Sequence, residues 1–162
     1  MASIIWYNID MKIKGNVKIL KRNIDTEEVE IKTLHNVSCT LGAESLAARM
    51  VGAERGQVTY FALGTGANTG GDAPSEDDTE LVSELVRKQI SVRTVSGDTA
   101  SFRIFFNTSE GNDTLTEIGL FGDDATVTAD SGVLFARAAI DVEKTDSETL
   151  TIDWSLTVDS TT

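Results

Sequence analysis

One cysteine, one histidine and one proline occur among 162 residues, and each scarcity removes a class of structure or chemistry. With Cys39 alone, no intramolecular disulfide can form and no cysteine cluster can hold zinc. Cys39 therefore reads as a small buried hydrophobe. His35 is the single imidazole, so a Ser-His-Asp or Cys-His site would have to use it. Its place at a strand end beside Asn36 suits a turn or a cap better. Aromatic residues make up 6% of the chain and only two are tryptophan, so no groove-forming aromatic series supports glycoside hydrolysis. No apolar run approaches the roughly 20 residues that span a bilayer. The start, Met-Ala-Ser-Ile-Ile-Trp-Tyr, lacks the basic region and long apolar run of a secretory leader. The expectation is a protein made in a cytoplasm, with no membrane partner, no cofactor and no enzymatic activity.

The length is that of a single domain, 1–162, and a chain of this size buries roughly 70% of its unfolded surface. A core can therefore form without disulfides. The formal charge of −12 is uneven. Residues 1–70 carry eight Lys/Arg against seven Asp/Glu, whereas residues 71–162 carry six against nineteen. The acidic second part would repel nucleic acid. Lys12, Lys14, Lys18, Lys21 and Arg22 form a local basic run. That run reads as the solvated face of a strand, or as a surface for an acidic neighbour in a self-assembling particle.

Hydrophobic periodicity is mostly that of strands. Leu150, Ile152, Trp154, Leu156 and Val158 alternate with Thr151, Asp153, Ser155 and Thr157, so the last long segment completes a sheet. Met11–Leu20 places Ile13, Val17 and Ile19 opposite Lys12, Lys14 and Lys18, and Glu28–Thr33 repeats the pattern as a hairpin partner. Further strands are expected at Gln57–Leu63, Ile90–Val95, Ala100–Asn107, Leu115–Phe121 and Gly132–Val142. Two short helices interrupt them. One is Leu41–Val51, closed by Gly52. The other is capped by Asp78 or Thr79, with Leu81, Val82, Leu85 and Val86 as its stripe and Glu84–Lys88 as an i,i+4 pair. The fold class is mainly β, an antiparallel β-sandwich or barrel-like body.

Between these elements, residues 64–78 read as a flexible loop holding the only proline and four of the thirteen glycines. Gly64-Thr65-Gly66 invites comparison with phosphate loops. A dinucleotide fingerprint would need glycine at position 69, which is Thr69, and a Walker loop would need a lysine, absent until Lys88. Asp72, Glu76, Asp77 and Asp78 would also repel phosphate. These acids, and Asp123 with Asp124, could offer oxygen ligands to calcium, but neither group has the spacing of an EF-hand loop. No metal ligands are assigned.

Two charges sit in unusual company. Glu117 shares a strand face with Gly119 and Phe121, and Arg137 lies within Val133–Ile140 among apolar and small neighbours. An unpaired buried ion costs several kcal/mol. Glu117 is therefore expected to pair with Arg137 or with Arg87.

In order and spacing, Phe61–Gly66, then Leu81, Glu84 and Arg87, then Thr116–Phe121, then Gly132–Arg137 resemble landmarks of bacteriophage tail-collar and tail-fibre proteins. Lys144 falls where those proteins often carry a lysine. The similarity runs from about His35 to Val158. It implies a structural virion protein that assembles as a homo-oligomer, a trimer or hexamer, with other tail, neck or baseplate proteins. The location it implies is the virion, assembled in the host cytoplasm. Fibre proteins of this kind commonly continue into a shaft and a receptor-binding tip, and the stop at Thr162 favours a collar, adaptor or fibre-anchoring piece. A receptor- or carbohydrate-binding module is the alternative, with Trp6, Tyr7 or Tyr60 as its surface aromatics. Residues 1–10, with Ile4, Ile5, Trp6 and Tyr7, either add a strand to the body or form an arm into a neighbour, and these four with Lys12, Lys14 and Lys18 are the candidate assembly contacts.

Overall fold

The computed structural model describes residues 10–68 and 70–161. The elements run in the order β1 (Asp10–Asn23), β2 (Val29–His35), β3 (Val37–Ser38), α1 (Thr40–Met50), β4 (Val58–Gly64), β5 (Glu84–Gln89), β6 (Val92–Ser96), β7 (Thr99–Phe106), β8 (Asp113–Gly122), β9 (Val133–Lys144) and β10 (Glu148–Thr161). They form two five-stranded sheets, β2-β1-β10-β7-β6 and β3-β9-β8-β4-β5. Every strand pairing is antiparallel. The two sheets pack as a β-sandwich.

The alternation in the closing segment decides the first sheet. β10 lies at its centre, paired with β1 on one side and β7 on the other. Leu150, Ile152, Trp154 and Leu156 are buried between the sheets beside Val17, Ile19, Ile104 and Phe106. The intervening residues of β1, β7 and β10 face solvent, where Arg103 holds Asp153 and Lys14 holds Asp159 across the strands. The hairpins close as their turn residues dictate. Asn23 Oδ1 accepts hydrogen bonds from the amides of Asp25 and Thr26, and Gly97 takes φ 59° between β6 and β7.

Trp154 organises the crossing from one sheet to the other. Its ring lies 5.6 Å from that of Phe61 on β4, centroid to centroid. Its indole N–H donates to Asn36 Oδ1 at 3.0 Å, and Asn36 is the residue that carries the chain from β2 in the first sheet to β3 in the second. Gly15 opposes Leu156 and gives Asn36 its room, since a Cβ there would stand 1.5 Å from Asn36 Oδ1.

The helix expected at Leu41–Val51 is present as α1, and Gly52 follows it at φ 82°. The second expected helix is not. Glu84–Gln89 is strand β5 on the edge of the second sheet, Asp78 caps no helix, and the only other helical turn among the described residues is a 3₁₀ turn at Gly70–Asp72. The pattern Leu81, Val82, Leu85, Val86 imitates helical spacing because these side chains serve different surroundings. Leu81 is buried with Cys39, Ala62, Phe121 and Leu134, Val86 packs on the core between the sheets, and Val82 and Leu85 are exposed. A bulge explains the rest. Gly64 opposes Glu84 while Leu63 opposes Val86, so Leu85 is an extra residue that brings Glu84 and Arg87 onto one face. Glu84 pairs with Arg87, not with Lys88, and Lys88 pairs with Glu110.

Gly15→Ala must push Asn36 from its place and leave the buried indole N–H of Trp154 without an acceptor. We expect a loss of about 1–3 kcal/mol in urea unfolding and a shift of tryptophan emission. An unchanged midpoint would show that Asn36 is not held there.

Candidate functional site

The second sheet is covered on both faces. Phe61, Leu63, Ile118, Leu120, Ala136 and Ala138 point toward the first sheet. Ala62, Gly64, Glu117, Gly119 and Arg137 share the other face, aligned by the registers Gly64–Glu117, Ala62–Gly119 and Gly119–Arg137. The segment between β4 and β5 lies over that face. Double coverage accounts for the unbroken burial over Glu117–Gly122 of β8 and Leu134–Ala138 of β9; beyond Ala138, β9 alternates as a half-exposed strand does.

Glu117 and Arg137 meet there. Both are buried, at 0% and 1% exposure, and Arg137 Nη2 and Nε stand 2.8 and 3.1 Å from Glu117 Oε2. The carboxylate is saturated from its other side by backbone. Oε1 accepts from the amides of Gly66 at 3.0 Å and Ser83 at 2.8 Å, and Oε2 accepts from the amide of Val82 at 3.0 Å. Arg137 reaches into the same covering segment. It donates to Asp78 Oδ2 at 2.9 Å, to Asn68 Oδ1 at 3.2 Å and to the carbonyl of Asp72 at 2.9 Å. Asp78 Oδ2 also accepts from the amide of Ser75. Segment 64–78 is thus bonded to this pair at Gly66, Asn68, Asp72 and Asp78, and the residues that follow it at Val82 and Ser83.

This geometry explains the glycines. A Cβ at Gly64 would lie 2.6 Å, and one at Gly66 2.4 Å, from Glu117 Oε1. The Gly-rich loop gives one backbone N–H, that of Gly66, to an anion that Val82 and Ser83 complete, but the anion is the protein's own carboxylate and not a phosphate. Sequence reasoning weighed the loop and the buried acid separately. The signal that linked them was the small Gly119 and Gly64 flanking a charge in a buried register.

Arg87, the other expected partner of Glu117, does different work. It pairs with Glu84 at 2.8 Å, lies 4.1 Å from the Phe121 ring centroid, and donates to the carbonyl of Ser131 at 2.6 Å. With Glu84 accepting from the amide of Asp130, it fastens the connection between β8 and β9. A third tie joins α1 to that connection: Asp123 accepts from Ser45 at 2.7 Å and from Arg49 at 2.9 Å. The acids considered for calcium are therefore dispersed, Asp78 to Arg137 and Asp123 to Arg49. Among the described residues no three His, Cys, Asp or Glu side chains gather as a metal group.

The remaining sequence candidates lie on the surface or outside the described residues. Lys12, Lys14 and Lys18 project from the outer face of the first sheet, and Lys14 pairs with Asp159. His35 is exposed at the end of β2 and Tyr60 is half-buried. Ile4, Ile5, Trp6 and Tyr7 fall outside the described residues. Among the described residues no helix is long and apolar enough to cross a membrane. Concave surfaces among the described residues include two beside the first sheet. A shallow depression of about 430 Å³ along the first sheet is lined by polar residues such as Lys18, Thr33, Thr94 and Asp153 and by apolar ones such as Val92 and Phe102. A groove of about 710 Å³ at one end of the sandwich is lined by Leu46, Val95, Phe102, Phe135, Leu156 and Val158, with Arg49 and Arg93 at its walls.

Glu117→Gln removes the charge that neutralises Arg137 and sets an amide against N–H donors. We expect a loss of about 3–5 kcal/mol and faster hydrogen exchange at the amides of Gly66, Val82 and Ser83. Unfolding and exchange at wild-type values would mean that the pair does not hold the loop. Burial, helped by the Asp78 carboxylate, pushes the Cys39 thiol up to about 12. Iodoacetamide at mildly alkaline pH should therefore leave native protein unlabelled and label it fully in urea; rapid native labelling would contradict this.

Compared with known proteins, the chain matches no family model, no curated protein sequence and no solved structure.

Proposed function

We propose that this protein is a structural component of a tailed bacteriophage virion, in the tail, collar or baseplate, where it docks copies of itself and neighbouring proteins or anchors a fibre. The observation that carries this reading is a convergence. Phe61–Gly66, then Leu81, Glu84 and Arg87, then Thr116–Phe121, then Gly132–Arg137 bear the likeness to tail-collar and tail-fibre proteins, and these separated segments come together in and beside one sheet. Their charged groups, Glu117 with Arg137 and Glu84 with Arg87, are satisfied by each other and by backbone, which supports a role in maintaining a shape.

Surfaces are what such a protein has to offer. The first sheet ends in β2 on one side and β6 on the other, and both edges carry exposed branched apolar residues, Val29 and Ile31 on β2, Val92 and Val95 on β6. Open edges of this kind accept a further strand from a neighbour. The acidic second part of the chain and the lysines of β1 give copies complementary patches. A closed ring of like subunits would cover these edges symmetrically.

Size-exclusion chromatography with light scattering checks the reading on the full chain. A trimer or hexamer is the expected result. A stable monomer at high concentration would count against it, and a monomer that binds glycans on an array would replace it with a receptor-binding module.

A further inference from the structure

Of the described residues that carry formal charge, three are buried as whole residues, and two of them, Glu117 and Arg137, neutralise each other. The third, Lys144, is 2% exposed and has no carboxylate at ion-pair distance. A buried lysine is almost always paired. What Lys144 Nζ meets is the side-chain amide of Asn112, whose Oδ1 stands 2.5 Å away, with the carbonyl of Thr145 at 3.4 Å. Asn112 is fixed from its other end, because Nδ2 donates to the carbonyl of Thr108 at 2.8 Å.

Because a C=O bond is about 1.23 Å long, an amine 2.5 Å from Oδ1 lies at most about 3.7 Å from the amide carbon Cγ. That is close to the separation of a near-attack arrangement. The amine also tends toward its nucleophilic form. Burial lowers the affinity of Lys144 for its proton, although the carboxylates of Glu148, Glu110 and Asp146 oppose this.

We propose that Lys144 and Asn112 form an intramolecular isopeptide bond. The neutral amine of Lys144 adds to Cγ of Asn112, the C–Nδ2 bond breaks, and ammonia leaves with the proton that the amine gives up. One amide is exchanged for another, so nothing is oxidised or reduced and no co-reactant is consumed. Lys144 ends β9 and lies opposite Asp113 at the start of β8, next to Asn112. The bond would covalently close the far end of the β8–β9 pair, the two strands that hold Glu117 and Arg137. That resistance to unzipping suits a protein under mechanical load, but the chemistry stands independently of the proposed function.

Mass spectrometry of the full chain, freshly purified and again after days at room temperature, decides the matter. The expected main species is lighter than the sequence by one ammonia, and Lys144→Arg and Asn112→Ala return to their full sequence masses. A succinimide at Asn112-Asp113 would also lose ammonia, so a tryptic map is required. The isopeptide gives one branched peptide joining the segments around Asn112 and Lys144, with no cleavage after Lys144. A full sequence mass at both times overturns the proposal, as does ammonia loss confined to the Asn112 peptide with normal cleavage after Lys144.

Discussion

Everything on the covered face of the second sheet depends on how the Glu117 carboxylate is satisfied. A carboxylate removed from water loses more solvation energy than a single partner restores, so it needs several donors at once. Here it has three backbone amides and a guanidinium. Those amides belong to two ends of the same excursion, Gly66 just after β4 and Val82-Ser83 just before β5. Satisfying one charge therefore fixes the path of the intervening chain. Arg137 completes the arrangement by holding the middle of that path through Asn68, Asp72 and Asp78. The excursion then covers Ala62, Phe121 and Leu134 with Leu81, and Cys39 is buried beside them.

The two sheets are consequently different materials. The first is an ordinary half-buried sheet whose outer face is polar and whose edges are open. The second is buried on both sides where β4, β8 and the first half of β9 meet, and carries buried ion pairs with Phe121 stacked under a guanidinium. Such a sheet tolerates few local changes, because glycine at 64, 66 and 119 leaves the space into which neighbouring side chains fit. Variation is easier on the outer face of the first sheet, where Arg103–Asp153 and Lys14–Asp159 are exposed pairs of small energetic consequence.

Much of the fold was legible in the chain. Strict alternation in β1 and β10 named their buried faces residue by residue, because one face of that sheet meets water and the other meets the core. α1 was legible from its period and from Gly52. The isolated charges in apolar segments announced a buried pair before any partner was known. The segment 78–89 misled for a definable reason: Leu81, Val82, Leu85 and Val86 face a satellite cluster, solvent and the main core in turn, and a bulge at Leu85 breaks the period of two. Local spacing then imitates a helix. The choice of Arg137 over Arg87 was equally invisible, since both are arginines near Glu117 and only the register of β8 against β9 distinguishes them.

By itself the sequence determined the class of structure, mainly β with a single disulfide-free core, because hydrophobic period and turn chemistry are local properties. It also determined that Glu117 and Arg137 required partners, because the cost of an unpaired buried charge does not depend on the fold. Only the tertiary structure decided which groups would meet. It made the glycine-rich loop a cradle for the protein's own carboxylate, turned a helical-looking segment into an edge strand, and set the amine of Lys144 against the amide of Asn112. Those outcomes rest on strand register and on a second layer over one sheet, and both arise from contacts between residues far apart in the chain.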